Sequence, residues 1–125
     1  MNPMISSLLE SRAYPHPTTA IELVETHISW VLLTGPYAYK LKKPVSLGFL
    51  DFSTLELRRL SCQEELRLNR RLAPELYLDL VEIHGPPEQA QVGGRGPVID
   101  VAVRMRQFAQ EDLLPQALMG GRVEP

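Results

Sequence analysis

The sequence predicts an α+β domain in which one long helix packs on a five-stranded, mostly antiparallel sheet. Three segments rich in β-branched and apolar residues come first, separated by turn residues, as is typical of strands. A long helical segment with an N-cap signal follows, and two more strand-like segments come after it. Strands grouped on either side of one helix favour this layout. The length of 125 residues fits a single domain, residues 1–125.

The first half of the chain is predicted to contain one short helix and a three-stranded meander. The helix covers Met4 to Arg12, within an N-terminal extension of residues 1–17 that ends in Pro15-His16-Pro17. Pro44 ends the third strand because proline has no N–H to donate to a sheet. The three strands are predicted at residues 21–26, 28–34 and 37–43.

The second half begins with the long helix. Ser53 and Glu56 have the spacing of a capping box, and Pro74 stops the helix after Ala73. The segment 85–97 is rich in glycine and proline, which predicts an exposed turn between the last two strands. Those strands are predicted at residues 78–83 and 98–105.

Composition and charge exclude several classes of protein. The net charge of −2 gives no overall basic field to attract nucleic acid or anionic lipid. Cys62 is the single cysteine, so the chain has no internal disulfide. Residues 1–10 do not resemble a signal peptide, and no segment approaches the roughly 20 apolar residues that span a bilayer. We therefore expect a cytoplasmic protein that binds neither membrane nor nucleic acid.

The long helix places one carboxylate on its packed face. At about 100° per residue, Glu65 lies near the middle of the arc that contains Cys62 and Leu66. A buried charge without a partner is costly, so Glu65 needs one. Two alternatives remain open from the pattern: a lysine on a strand, or local pairing with Arg58 or exposure at the helix edge.

The third strand offers the lysine. Alternation along the strand directs Ala38, Lys40 and Lys42 to one face. A small residue two positions before a lysine leaves room for an adenine ring while the ammonium group reaches phosphates. Lys42 is the second choice of partner, and a solvated lysine edge that discourages strand pairing is the alternative interpretation.

Other chemistry-bearing residues favour structural roles. The three histidines have no metal-ligand spacing with one another or with Cys62, so we expect no metal site. Cys62 falls on the apolar helix face and is interpreted as a core residue. The helix arginines suggest a nucleic-acid-binding helix as a third reading of function, but the glutamates between them favour an ordinary solvated face.

Four segments closely resemble the start of bacterial aminoglycoside phosphotransferase-like proteins, which are two-part proteins of the protein-kinase-like superfamily that combine a phosphotransferase with an ATP-binding domain. The resemblance extends over nearly the whole chain, from about Tyr14 to about Leu118. The segments are Glu25-Thr26-His27-Ile28-Ser29-Trp30-Val31, Tyr39-Lys40-Leu41-Lys42-Lys43-Pro44-Val45, Gly48-Phe49-Leu50-Asp51-Phe52-Ser53-Thr54-Leu55 and Leu68-Asn69-Arg70-Arg71-Leu72-Ala73-Pro74.

This resemblance implies the N-terminal lobe of a kinase-like enzyme. In such a lobe Lys40 would hold the nucleotide phosphates and Glu65 would orient it. The turn that ends at Ser29 would stand where a kinase places its phosphate loop, although it lacks the glycine pattern and also fits an ordinary hairpin turn. The remaining residues would surround the adenine: Val31 and Ala38 as its roof, Met105 as gatekeeper, and the backbone of Arg106 and Phe108 at its edge.

The resemblance also implies that the chain is catalytically incomplete. Relatives of this kind continue into a second lobe that supplies the catalytic residues, and residues 109–125 would begin the connection to it. The chain contains neither His-Gly-Asp nor a P-loop motif. We therefore expect ATP and Mg²⁺ to be cofactors of the full-length parent, and this truncated chain to bind adenine nucleotide only weakly.

Two kinds of partner follow from this expectation. Met105 to Leu114 would form an apolar docking surface, covered by the missing second lobe or by self-association. The alternative function is a non-catalytic protein-interaction module that keeps the kinase-like fold.

Overall fold

The computed structural model describes residues 2–48 and 50–107 of the chain. It confirms an α+β architecture with one long helix. The predicted interlobe segment, 109–125, lies outside the described residues. The elements in chain order are α1 Pro3–Leu8, β1 Glu22–Glu25, β2 Ser29–Leu33, β3 Tyr37–Lys42, α2 Leu55–Arg70, β4 Tyr77–His84, β5 Gln91–Val92 and β6 Val98–Arg106, with short 3₁₀ turns at Ser11–Ala13 and Pro87–Gln89.

The described sheet has six strands rather than the five predicted, in the order β1-β2-β3-β6-β4-β5. Every neighbouring pair is antiparallel. The additional strand, β5, lies in the segment predicted to be an exposed turn, where Val92 pairs with Ile83 and is itself buried. A two-residue strand is too short to show alternation, so the sequence pattern could not reveal it.

The two faces of the sheet have separate hydrophobic cores. One core lies beneath α1 and includes Leu8, Leu32, Tyr39 and Leu41. The other lies beneath α2, where Cys62 packs with Val101 and Val103, and Met105 and Tyr77 border it. Residues that alternate along β3 therefore point either to the α1 core or to the face that α2 covers.

Helix α2 begins one residue later than the capping box predicts. Thr54 is the N-cap, and its hydroxyl accepts a hydrogen bond from the Leu57 N–H at 3.1 Å. The Ser53 side chain instead donates to Asp51. The helix ends at Arg70, before the predicted end at Ala73. With both boundaries changed, Glu65 still lies within the helix and on its packed side.

The N-terminal helix is shorter than predicted. Helix α1 ends at Leu8, and a separate 3₁₀ turn follows at Ser11–Ala13. The Tyr14 hydroxyl donates to the Leu8 carbonyl at 2.6 Å, which satisfies an acceptor that a continuing helix would otherwise use. The N-terminus of α1 is capped by the Asn2 side chain, which accepts from the Met4 N–H.

Candidate functional site

The site centres on an ion-pair cluster between β3 and α2. The Glu65 carboxylate lies 3.0 Å from the Lys40 ammonium and 2.5 Å from the Lys42 ammonium, one lysine at each oxygen. The predicted pairing of Lys40 with Glu65 is therefore confirmed. The alternative partner, Arg58, instead pairs with Asp100, with its Nε 3.1 Å from Oδ1.

The faces of β3 and α2 explain how this cluster forms. Lys40 and Lys42 are two positions apart on a strand, so both side chains project towards α2. Glu65 extends from α2 beside the buried Cys62. The sequence analysis placed Lys42 second, yet it makes the shorter contact with Glu65. Its position on the Lys40 face was the signal that both lysines were candidates.

The cluster is unequally exposed. The Lys42 side chain is 8% exposed and the Glu65 side chain 15%, whereas the Lys40 side chain is 29% exposed. Two ammonium groups face one carboxylate, so the three side chains together have an excess of one positive charge. Because Lys40 is the most accessible of the three, an incoming anion would meet it first.

Electrostatics keeps Glu65 ionised. Burial alone would raise the pKa of Glu65, but the hydrogen bond from Lys42 and the charges of both lysines outweigh burial and lower it. The neighbouring thiol behaves differently. Burial raises the pKa of Cys62 to about 11, since the nearby lysine charges offset only part of the desolvation. Cys62 is thus a buried core residue, as predicted.

The predicted adenine-roof residues lie on the same sheet face as Lys40. Directly opposed residues of an antiparallel pair share a face. Val31 opposes Lys40, and Met105 opposes Ala38, which is on the Lys40 face by alternation. Ala38 is buried, while Val31 and Met105 are partly buried. The fold therefore places an apolar strip on the sheet face that also carries Lys40.

Ser29 shares this face, but its side chain is buried and its polar groups already have hydrogen-bond partners. It opposes Lys42 and is 3% exposed. Its N–H donates to the Thr26 hydroxyl at 3.0 Å, and the two hydroxyls lie 2.9 Å apart. The turn between β1 and β2 thus satisfies these donors internally, as an ordinary hairpin turn does. A phosphate-binding role for Ser29 gains no support from this geometry.

One of the two predicted adenine-edge residues, Arg106, is the last residue of β6. The Arg106 N–H donates to the Leu76 carbonyl at 2.8 Å, so its amide is already paired. Phe108 lies outside the described residues. Met105, the first residue of the predicted docking surface, borders the core beneath α2, and most of that surface also lies outside the described part.

Three arginines of α2, Arg58, Arg59 and Arg67, are paired with acidic residues. Besides the pair with Asp100, Arg59 contacts Glu82 and Arg67 contacts Glu64 one turn away. Paired charges of this kind weaken an attractive field for a polyanion. The arrangement fits the ordinary solvated helix face favoured above, rather than a nucleic-acid-binding helix.

Within residues 2–48 and 50–107, no group of three or more His, Cys, Asp or Glu side chains is arranged to hold a metal ion. His16 and His84 are engaged in hydrogen bonds, with the Tyr39 hydroxyl at 2.7 Å and the Gly96 carbonyl at 2.7 Å respectively. In the same part of the chain, no helix has both the length and the apolar character needed to cross a bilayer.

The chain is similar to mycobacterial proteins of much greater length. It is 36% identical over 109 residues to a protein of Mycobacterium tuberculosis strain H37Rv and, to the same extent, to one of Mycobacterium bovis, both described as uncharacterized proteins. The match covers 85% of this chain and 20% of each relative, so the chain spans about a fifth of the length of the curated relatives it matches. No family model matches the chain, and no solved structure matches it.

Proposed function

We propose that this domain is the nucleotide-binding lobe of an ATP-dependent phosphotransferase that acts on a small molecule, similar to the aminoglycoside phosphotransferases. The observation that supports it most is the contact of 3.0 Å between Lys40 on β3 and Glu65 on α2. Kinase-like enzymes use a strand lysine, oriented by a helix glutamate, to hold nucleotide phosphates.

The charge of the cluster supports a phosphate ligand. Glu65 neutralises one of the two lysines, and Lys42 is the more buried of them. Lys40 remains partly exposed, held by the carboxylate but able to donate its other ammonium protons outwards. The negative charge of a bound phosphate would offset the excess positive charge of the two lysines.

The apolar strip beside Lys40 supports the adenine part of the proposal. Ala38 has a small side chain and is buried, Met105 lies opposite it on β6, and Val31 lies opposite Lys40 on β2. In this arrangement the base would lie against Ala38 while its phosphates extend towards Lys40. This strip would cover one side of a bound base, whereas nucleotide sites normally bury most of the ligand.

In this proposal, the groups that complete the reaction would come from outside the described residues. Among the described residues, no group of three or more His, Cys, Asp or Glu side chains is arranged to hold a metal ion. Bound Mg²⁺ would neutralise charge on the transferred phosphoryl group. The contribution of this chain is to bind and orient the phosphates through Lys40 and to hold the base against Ala38.

A second candidate function is the protein-interaction module. It is favoured by leucines that α2 and the segment after it expose to solvent: Leu60 at 53%, Leu68 at 47% and Leu72 at 85%. Apolar side chains exposed in proximity are typical of a protein-binding surface. None of these leucines belongs to the Lys40 cluster, so a module that binds only proteins would tolerate loss of the lysine.

Calorimetry with Mg-ATP separates the two candidates. We expect the wild-type chain to bind with a dissociation constant of about a millimolar, near −4 kcal/mol, because the strip would cover only one side of the nucleotide. Lys40→Ala should abolish measurable binding. Lys43→Ala is the matched control, because Lys43 is paired with Glu25 and lies outside the cluster. Binding that survives Lys40→Ala, or that Lys43→Ala weakens equally, would contradict the proposal.

A further inference from the structure

A pocket of about 310 Å³ lies apart from the Lys40 cluster, between α1, the start of β2 and the start of β6. Its apolar wall contains Met4, Trp30, Pro44 and Ile99. Neither Lys40 nor Glu65 borders it. The volume is at the small end of the range for ligand pockets, which suits a compact molecule of about ten heavy atoms.

The polar wall of the pocket contains a buried ion pair. Asp100 is 3% exposed, and its Oδ1 accepts from Arg58 Nε at 3.1 Å and from the Val101 N–H at 2.9 Å. Arg58 also donates to the Phe52 carbonyl at 2.9 Å. The second oxygen of the carboxylate, Oδ2, accepts no hydrogen bond from the residues that the structure describes. A buried carboxylate oxygen without a donor is an unusual feature in a folded protein.

The charges around the pocket favour a cation. Asp100 and Glu88, on the 3₁₀ turn at the rim, supply two carboxylates, whereas Arg58 supplies one guanidinium. The nearby Lys43 lies 5.6 Å from the centre of the Trp30 ring, but Glu25 pairs with it. Burial raises the pKa of Asp100 because the Val101 N–H and Arg58 compensate only partly for its lost hydration. A second donor at Oδ2 would complete that compensation.

We propose that this pocket binds a small organic cation, a primary ammonium group on a compact apolar or aromatic body. The ammonium group donates to Asp100 and faces Glu88, and the body packs against Trp30 and the other apolar side chains. This site stands independently of nucleotide binding, because it shares no residue with the Lys40 cluster and needs no phosphate.

Trp30 provides a direct readout, since it is the single tryptophan of the chain. Benzylammonium chloride is titrated at constant ionic strength while the Trp30 fluorescence is recorded. Benzyl alcohol and sodium benzoate, which have the same ring with a neutral or an anionic group, are titrated in parallel. We expect a saturable change with benzylammonium at least about tenfold tighter than with either control, since a hydrogen bond between charged groups discriminates by that order. Equal binding of all three, or no saturable change with benzylammonium, would overturn the proposal.

Variants then identify the carboxylates. Glu88→Gln, on the surface, should weaken benzylammonium binding about two- to fivefold, as expected for an exposed charge. Asp100→Asn should weaken it about tenfold or more. The matched control is Glu75→Gln, an exposed glutamate near the opposite end of β6 that does not border the pocket.

If Asp100→Asn fails to fold, Glu88→Gln and the three ligands still decide the question. The indole N–H of Trp30 gives one identifiable resonance in a nitrogen–proton NMR spectrum, and it should shift with benzylammonium in the Glu75→Gln variant as in the wild type. Binding that neither Glu88→Gln nor Asp100→Asn weakens would overturn the assignment of the site.

Discussion

The Lys40 ammonium group lies 3.0 Å from the carboxylate of Glu65 and joins the third strand to the long helix. This contact links α2 to the sheet face that also contains Ala38 and Met105. The same carboxylate holds Lys42. Glu65 is thus the common partner of two cations, and its removal should have more consequences than the removal of either lysine.

Replacement of Glu65 should destabilise the fold more than replacement of Lys40. Glu65→Gln leaves the buried Lys42 without a carboxylate, so we expect a loss of about 2–3 kcal/mol in the free energy of unfolding. Lys40→Ala keeps the Lys42 pair and removes a more exposed cation, so about 0.5–1 kcal/mol is expected. Urea unfolding at pH 7 measures both. Equal effects of the two substitutions would show that Lys42 does not depend on Glu65.

Stability should fall in acid partly because of Glu65. Its folded-state pKa is lowered, so the folded protein holds this proton less tightly than the unfolded chain does. The resulting stabilisation is complete above the unfolded pKa, near 4.5, and is lost as pH falls through the folded pKa.

Urea midpoints from pH 7 to pH 3 should therefore drop less steeply in Glu65→Gln than in the wild type. Glu25→Gln is the control, because the pKa of the exposed Glu25 is also lowered, by Lys43. Exposure limits that effect, so its profile should stay close to that of the wild type. A Glu65→Gln profile parallel to that of the wild type would contradict the pairing.

The thiol of Cys62 should be protected in the folded protein. Its side chain is fully buried, and burial raises its pKa to about 11, so little thiolate exists at pH 8 and reagents cannot reach it. Reaction with a colorimetric disulfide reagent should be slow in buffer and rapid in urea, and should follow the unfolding transition. Rapid reaction in buffer would show that α2 does not pack on the sheet as described.

Gly96 should tolerate no larger side chain. A Cβ at this position would lie 2.0 Å from the Gly85 carbonyl oxygen, a clash with backbone that cannot move aside easily. Gly93, in the same loop, has a φ of +73° but open space around it. We expect Gly93→Ala to lose about 1 kcal/mol through backbone strain and Gly96→Ala more than about 2 kcal/mol. Thermal unfolding compares them, and the reverse order would contradict the packing of this loop.

The pairing of Lys40 with Glu65 could be predicted as one of two alternatives, because two periodicities direct these side chains towards each other. Alternation along β3 assigns the lysine to one sheet face, and the helical repeat assigns Glu65 to the packed side of α2. The closer contact of Lys42 was not predictable, because both lysines share a face. Which one lies nearer depends on how α2 is offset along the strand, and only packing of the core beneath the helix sets that offset.

Other features depend on contacts distant in sequence. The N-cap of α2 is Thr54 rather than the predicted Ser53, because the Ser53 hydroxyl donates to Asp51 instead. Two local hydrogen-bonding options of similar energy compete here. The pair of Arg58 with Asp100 joins the helix to the last strand. In the sequence, this pair is indicated only by Asp100, a single acidic residue within a largely apolar strand. That pattern does not identify Arg58 as its partner.

The central claim is that Lys40 binds nucleotide phosphate while the strip around Ala38 receives the base. The most direct measurement is a nitrogen–proton NMR titration of the 125-residue chain with Mg-ATP, with Lys40→Ala and Lys43→Ala in parallel. We predict shifts concentrated at Val31, Ala38, Lys40 and Met105, lost in Lys40→Ala and retained in Lys43→Ala. Shifts confined to other parts of the chain, or a pattern unchanged by Lys40→Ala, would contradict the account.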